Sequence, residues 1–349
     1  MHDYSDNAYV NSLLALLRQF WWGLHTLASD LQSGGHRLFW AWLAIFFAYL
    51  FWQAHKGEVW RGHQGQGDSL WARAFPRAVW LHPSNRIDIA VIVINSMLGP
   101  ATWAMPIVSS VVIGTWVSGL LSQIWPSGWQ LQWNSFSVAL FTLIAVIVTD
   151  FKVYVVHRAF HEIPWLWPFH ALHHSAEVLT PVTAYRNHPI NIFVASLVRG
   201  LFVGVMLGVI HTLMLGKAEA MTLLGANAAY LLVFMPMSNF RHSHVWIDYP
   251  RWLSRWLVSP AMHQIHHSRL IEHHDKNYGE VFSCWDRWLG TLGYPRRDER
   301  FTIGLYGVDK QPYHSVASAY FTPFKESWQV LKTGRGKKRG ERTQLEEQR

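Results

Sequence analysis

Eight histidines set in three tight boxes constrain this chain more than any other feature. His157-x-x-x-His161 is followed after eight residues by His170-x-x-His173-His174, and after a further 88 by His263-x-x-His266-His267. Histidines three or four residues apart share a helix face, with side chains roughly 5–6 Å apart. Two imidazoles at that distance can grip one metal ion about 2 Å from each nitrogen. Packing so many imidazoles together without partners would cost roughly 1–3 kcal/mol per stranded polar group. Coordination removes that cost and fixes the tautomers. The boxes predict a histidine-rich metal centre at the end of a helical bundle. Isolated histidines such as His25, His36, His55, His63, His82, His211 and His314 read as solvated or hydrogen-bonded side chains.

Half of the 349 residues are apolar, 21 are tryptophan and only 15% are charged, against roughly 25% in soluble domains. Tryptophans gather near the ends of apolar runs (Trp40, Trp52, Trp103, Trp116, Trp125 and Trp133 among them), where amphipathic rings anchor at headgroups. The composition predicts an all-α integral membrane bundle. The formal charge is +8, but a basic nucleic-acid-binding face would not alternate with intramembrane segments, so no nucleic-acid partner is expected. The single cysteine, Cys284, excludes an intrachain disulfide and a thiolate-held cluster. The start, residues 1–7, lacks the basic region of a cleavable signal peptide.

Three regions are expected: an N-terminal interfacial segment 1–35, a main domain 36–310, and a C-terminal extension 311–349 whose charged end, 335–349, reads as disordered. Leucines and Phe20 recur at helical spacing over 11–31, fitting a helix lying on the membrane or an ordinary core-facing helix equally well. About four principal spans are expected, drawn from these apolar runs: Leu38–Trp52, short for a span; Ile87–Leu121, interrupted by Gly99-Pro100 and Pro106 and readable as a span plus an interfacial piece or as a hairpin; Phe136–Val156; and a hairpin of Ile190–Leu215 with Ala218–Met237. Segments 54–86, 157–189 and the region after 240 are basic, whereas 122–134 has no Lys or Arg. The positive-inside bias then places every box in a cytoplasmic cap.

Further histidines flank the boxes. His188 precedes a span and His242 follows one; with the eight box residues they would make ten ligands, enough for two five-coordinate ions. His244, His273 and His274 read as surface or supporting residues. Asp150, seven residues before His157 on the same helix face, is expensive at membrane depth without a partner. Asp150, Glu162, Glu177 and Asp275 are candidates for orienting the imidazoles, and each could equally be a surface charge. Imidazole ligands alone do not choose among zinc, copper, iron and nickel. Structural zinc takes only four ligands, so two adjacent ions with open positions fit better.

The order and flanks of the boxes resemble the membrane fatty acid hydroxylase/sterol desaturase superfamily over roughly residues 80–310. The resemblance rests on Asp150-Phe-Lys-Val-Tyr-Val-Val-His-Arg, Leu166-Trp-Pro-Phe-His-Ala-Leu-His-His-Ser and Ser259-Pro-Ala-Met-His-Gln-Ile-His-His-Ser. Asp275-Lys-Asn277-Tyr-Gly and Trp285-Asp-Arg-Trp-Leu-Gly-Thr extend it. It implies a non-haem di-iron enzyme that uses O2 and two electrons to hydroxylate or desaturate a lipid C–H bond, with Asn277, His244 and His274 among the residues supporting the ligands. The family often has His-Ser-Asn after the last span; here His244 stands in place of that Asn, either as a further ligand or as a simple replacement. No haem-binding loop surrounds His82-Pro83 or His188-Pro189, and no dinucleotide fingerprint is present. A separate reductase, ferredoxin, b-type cytochrome or pterin is therefore expected to supply electrons. A zinc protease would need HExxH, but His161-Glu162 is followed by Ile163-Pro164-Trp165. A metal transporter, the rival of another class, would spread ligands along the spans.

Overall fold

The computed structural model describes residues 18, 21–22, 25, 29, 40–56, 69–125, 131–132, 134–214, 222–223, 226–296, 299–308 and 311–334. The segments 11–31 and 335–349 lie largely or wholly outside the described residues. Among the described residues the regular elements are helices, apart from an antiparallel ribbon of two-residue strands, Thr222–Leu223 with Ala226–Asn227, and two isolated bridges, Leu257 with Phe282 and Ser268 with Ile303. Long helices come first: α1 (Trp40–Lys56), the short α2 (Leu70–Ala74) and α3 (Arg77–Trp80), then α4 (Ser84–Ile124), α5 (Ser135–Glu162), α6 (Trp167–His174) and α7 (Pro189–Leu213). Short helices follow: α8 (Ala228–Val233), α9 (Met235–Arg241), α10 (Arg251–Ser254), α11 (Pro260–His266) and α12 (Cys284–Trp288). The longer α13 (Val316–Thr333) ends the described chain.

Two helices among the described residues, α5 and α7, are long and apolar enough to cross a membrane. Asn134 starts α5 with a reciprocal cap: its side chain accepts from Ser137 N, and Ser137 Oγ accepts from Asn134 N. α4 and α7 pack together along much of their length. The seam closes where α7 presents glycines at four-residue intervals. A Cβ at Gly208 would lie 2.6 Å from Gly114 O and 2.7 Å from Val117 Cβ, the close backbone approach that small residues allow between membrane helices.

Two expectations about spans change. The run 87–121 is not a hairpin, because α4 is one 41-residue helix through Gly99-Pro100 and Pro106, with length for a span and an extension. α1, described over 17 residues, buries Phe46, Leu50 and Ala54 against Ala74, Phe240 and Val245 and leaves Trp40, Ile45 and Trp52 exposed. The stretch 218–237 is not one span: a ribbon precedes α8, and α9 begins anew with Pro236 at its start, where a residue without N–H is tolerated.

The candidate metal centre

His157 and His161 occupy the last turns of α5, a helical turn apart. His170, His173 and His174 lie on the eight-residue α6, whose Trp167-Pro168 start fixes the first turn. His263 and His266 lie on α11, with His267 its C-cap, and Ser259 caps its other end by accepting from Met262 N. His242 caps the C-terminus of α9. The Gln264 side-chain amide donates to the carbonyls of Phe240, Ser243 and Val245 at 3.0, 3.1 and 2.8 Å, tying α11 to the end of α9.

These elements bring nine histidines into two adjoining groups. His157, His161, His170, His174 and His266 form one; His173, His242, His263 and His267 form the other, and within each group the ligand atoms lie within 4.8 Å of one another. The Nε2 atoms of His161 and His174 are 3.0 Å apart, those of His242 and His173 3.1 Å, and those of His263 and His242 3.0 Å. The ring of His174 stacks on that of His267 at 4.5 Å, joining the groups.

One pair tests whether cations fit. His157 Nδ1 lies 2.9 Å from Tyr278 O, and His266 Nδ1 lies 2.6 Å from Lys276 O. A carbonyl only accepts, so both Nδ1 atoms carry the proton and donate. In the neutral rings both Nε2 atoms are then bare lone pairs, yet they face each other at 3.0 Å. Two nitrogens bound at right angles to one ion, each at about 2.1 Å, stand about 3.0 Å apart. A cation explains the contact; an ordinary hydrogen bond between neutral rings does not.

Burial, followed by the charges of neighbouring imidazoles, holds His174, His263 and His267 well below the usual histidine value. They are neutral at pH 7, the form that ligates. The same burial sets an acid limit. His244 is pushed down to about 4 by burial, with its hydrogen bond to Ala74 O opposing. Its folded value lies below the unfolded one, so the unfolded chain takes up protons first as pH falls through about 6.5, and stability is lost progressively to about pH 4. His244 alone accounts for about 3 kcal/mol of that loss. Metal-free protein is expected to show a falling Tm between pH 6.5 and 4 that His244→Phe makes shallower. A Tm flat across this window in the native chain contradicts the reading.

The structure does not bring His188 to either group. Its Nδ1 accepts from Ile190 N at 3.1 Å and its Nε2 donates to Tyr320 O at 3.0 Å, so both nitrogens serve the start of α7 and the α13 contact. His244 donates to Ala74 O and packs edge-on against Trp80, outside both groups. His274 stands edge-on to Tyr306. His273, itself buried, pairs with Glu299 at 3.1 Å, outside both groups.

Among the carboxylates, Asp275 comes nearest, 3.9 Å from His161 Nδ1, and accepts from Tyr278 OH. Glu162 pairs with Arg158 at 2.9 Å. Glu177 is exposed, and only its backbone N–H, donating to Ser84 Oγ, is tied down. Asn277 pins the loop: its side chain donates to Met262 O and accepts from Gly293 N. Asp275 and Asn277 both take left-handed backbone angles, φ 58° and 57°, a conformation these residue types tolerate best after glycine. Residues 276 and 278, next to them, supply the carbonyls that meet His266 and His157.

Asp150 touches no imidazole. Its oxygens accept from Val281 N at 2.7 Å, Phe282 N at 3.0 Å and Trp285 Nε1 at 2.8 Å. These bonds offset its burial and clamp the loop that carries Tyr278. Asp150→Asn puts a second donor against these donors, at about 1–3 kcal/mol. It is expected to lower both Tm and bound metal, read by mass spectrometry of metals per chain; unchanged occupancy would remove Asp150 from the centre's support. Two further residues support the centre: Asn191, which carries no motif signal, and Asp286, which lies inside the 285–291 motif. The Asn191 amide shares a 2.9 Å hydrogen bond with His170 Nδ1. Buried Asp286 accepts from the backbone of Tyr278 and Gly279, and burial raises its carboxyl to about 6 against those bonds.

Two cavities reach the histidines. One, about 460 Å³, touches His161, His174 and His266 and is walled by Trp167, Tyr313 and Glu326 among others. The other, about 230 Å³, touches His157, His170, His173, His242 and His263 and opens between α5 and α7 past Val153 and Ala195.

The fatty acid hydroxylase family profile matches residues 142–291, which contain all nine clustered histidines. The ornithine lipid hydroxylase OlsE of Rhizobium tropici is 30% identical over 188 residues, 53% of this chain and 50% of that protein. The alkylglycerol monooxygenase of Caenorhabditis elegans is 25% identical over 205 residues, covering 58% and 35%. The Delta(7)-sterol 5(6)-desaturase of Eremothecium gossypii is 29% identical over 165 residues, covering 45% and 39%. The chain thus spans half or less of the length of these curated relatives. No solved structure matches it significantly. Residues 142–291, with all nine clustered histidines, thus match the fatty acid hydroxylase family, and this part of the chain is similar to lipid hydroxylases, monooxygenases and sterol desaturases.

Proposed function

We propose that this protein is a membrane non-haem di-iron oxygenase that hydroxylates or desaturates a lipid C–H bond, using O2 and two electrons from a separate donor. The observation that carries the reading is the convergence of nine histidines into two adjoining groups of five and four, in which the Nε2 atoms of His157 and His266 stand 3.0 Å apart while their Nδ1 atoms donate to carbonyls. Nine imidazoles exceed the ligands that even two four-coordinate structural zinc sites would take, and imidazole accepts iron readily. The ligand set is the nine clustered histidines, without His188.

When bound, the two irons supply O2 activation and hydrogen abstraction from an unactivated carbon. The chain's own residues do the rest. Lys276 O and Tyr278 O fix the tautomers of His266 and His157, and Asn191 holds His170. Val153, Val156, Phe160 and Ala195 give the cavity between α5 and α7 an apolar side, which suits an alkyl chain, beside the charged Lys152, Arg241 and Glu280. The relatives' names describe work on an ornithine lipid, an alkylglycerol and a sterol, which supports a lipid substrate drawn from the bilayer. By the positive-inside bias the histidine cap faces the cytoplasm, where a reductase, ferredoxin, b-type cytochrome or pterin can reach it.

The test is O2 uptake by purified protein with a reductant, with and without a lipid extract, alongside metals per chain and lipidomics of cells with and without the intact gene. Two irons per chain, lipid-dependent uptake and a lipid that gains one oxygen or loses two hydrogens are expected. Two tightly held ions with no reductant- or lipid-dependent uptake would leave a metal-binding protein. Zinc in a purified sample does not decide the matter, because imidazole sites take up the abundant ion.

A further inference from the structure

α13 has two faces that serve different ends. Ala319, Pro323 and Ser327 are buried against the bundle, and Glu326, Gln329, Val330 and Thr333 line the 460 Å³ cavity that reaches His161, His174 and His266. On another face Phe321 (71% exposed), Phe324, Trp328 (60%) and Leu331 lie open. Their spacing of three and four residues makes one apolar stripe. Ser327 Oγ donates to Trp165 O, and Phe324 meets Phe169 at 5.2 Å, so the stripe runs on to exposed Ile163 and Trp165. An exposed apolar patch of this kind marks an interaction site.

The height of the stripe in the bundle identifies its partner. Tyr320 O accepts from His188, the N-cap of α7, and Tyr320 OH donates to Asn95 of α4. α13 therefore crosses the bundle where the α7 span begins. A second surface lies at the foot of the cap against α5. Trp252, Trp256 and Trp288 are exposed there, Arg287 sits over the Trp256 ring at 5.8 Å, and Asp150 of α5 holds α12 through Trp285. Aromatic rings with neighbouring cations at the ends of spans are the signature of the headgroup layer. On α13 itself Lys325 and Lys332 are exposed beside the stripe, and the sequence continues with Arg335, Lys337, Lys338 and Arg339 before the next acidic residue, Glu341.

We propose that α13 lies flat in the headgroup layer of an anionic leaflet, stripe inward and lysines toward lipid phosphates, so that a wall of the larger histidine cavity is seated on the lipid surface. The inference holds whatever reaction the histidines perform. A helix with one apolar arc and flanking lysines binds such a surface through buried apolar area plus charge, and the lysine stems can lie along the apolar boundary.

The test places spin labels on the full chain in nanodiscs of phosphatidylcholine, alone or mixed with phosphatidylglycerol. Phe324→Cys and Leu331→Cys carry the label on the stripe, Phe321→Cys is a third stripe position should either fold poorly, and Gln329→Cys reports the other side. The native Cys284 is buried. At the stripe, collisions with oxygen should exceed those with a water-soluble nickel chelate at least twofold, with the order reversed at Gln329→Cys, and phosphatidylglycerol should deepen the stripe labels. Three results overturn the proposal: nickel access equal to oxygen access along the stripe, immersion indifferent to lipid charge, or dipolar broadening showing a second copy packed on the stripe.

Discussion

Replacing His267 with alanine is expected to cut bound metal from two ions per chain to one or none and to lower lipid turnover by more than about 100-fold, the upper end of effects seen when only a ligand's supporting partner is lost. Membrane insertion and helix content should be unchanged. The size of the effect follows from position. His267 is fully buried, its Nε2 lies 3.2 Å from that of His263, and its ring is 4.7 Å from His173 and 4.5 Å from His174. Its loss takes a nitrogen from the group of four and a wall from the group of five. His267→Gln, which restores a neutral polar side chain but not an imidazole, should fail alike. Full metal content with normal turnover in either variant would remove His267 from the ligand set.

Arg186→Ala is expected to cost about 3–5 kcal/mol of stability, the range for breaking a buried ion pair by deleting one partner, and to release metal at temperatures below global unfolding. The guanidinium is 1% exposed. It donates to Asp88 Oδ1 at 2.9 Å, to Ser84 Oγ, to Leu172 O and to Ser175 Oγ. Those partners lie at the start of α4 and at the end of α6, so the residue fastens the helix that carries His170, His173 and His174. Lysine cannot reproduce this fork of donors, and Arg186→Lys should recover little. Arg186→Met combined with Asp88→Leu should recover most of the stability, since apolar replacement of both partners is often neutral. If the double variant is no more stable than Arg186→Ala, the stranded Asp88 charge is not the cause.

The helical fold and the convergence of the boxes are legible in the sequence because i, i+3 and i, i+4 spacing survives any tertiary arrangement. His242 is also legible, from its place just after an apolar run. His188 looked equivalent by the same argument, but His188-Pro189 is also a helix start. Proline suits the first helical position, and the ring was taken up in capping α7. Asp150 was legible as buried and partnered, but not as a clamp on residues 281–285, because that contact joins residues about 130 positions apart. The span count failed at 218–237, where hydropathy ignores the break that Pro236 makes. Asn191 left no trace, and the 285–291 motif does not single out Asp286, since single polar residues acquire roles only once loops fold back on the spans.

The doubled histidines have a consequence for loading. His173 belongs to one group and its neighbour His174 to the other; His266 and His267 divide the same way. Adjacent residues share a peptide plane, so drawing one ring onto its ion stiffens the backbone that presents the next ring to the other ion. Occupation of either position therefore pre-orders its twin, and titration of the stripped protein should favour chains holding both ions over chains holding one.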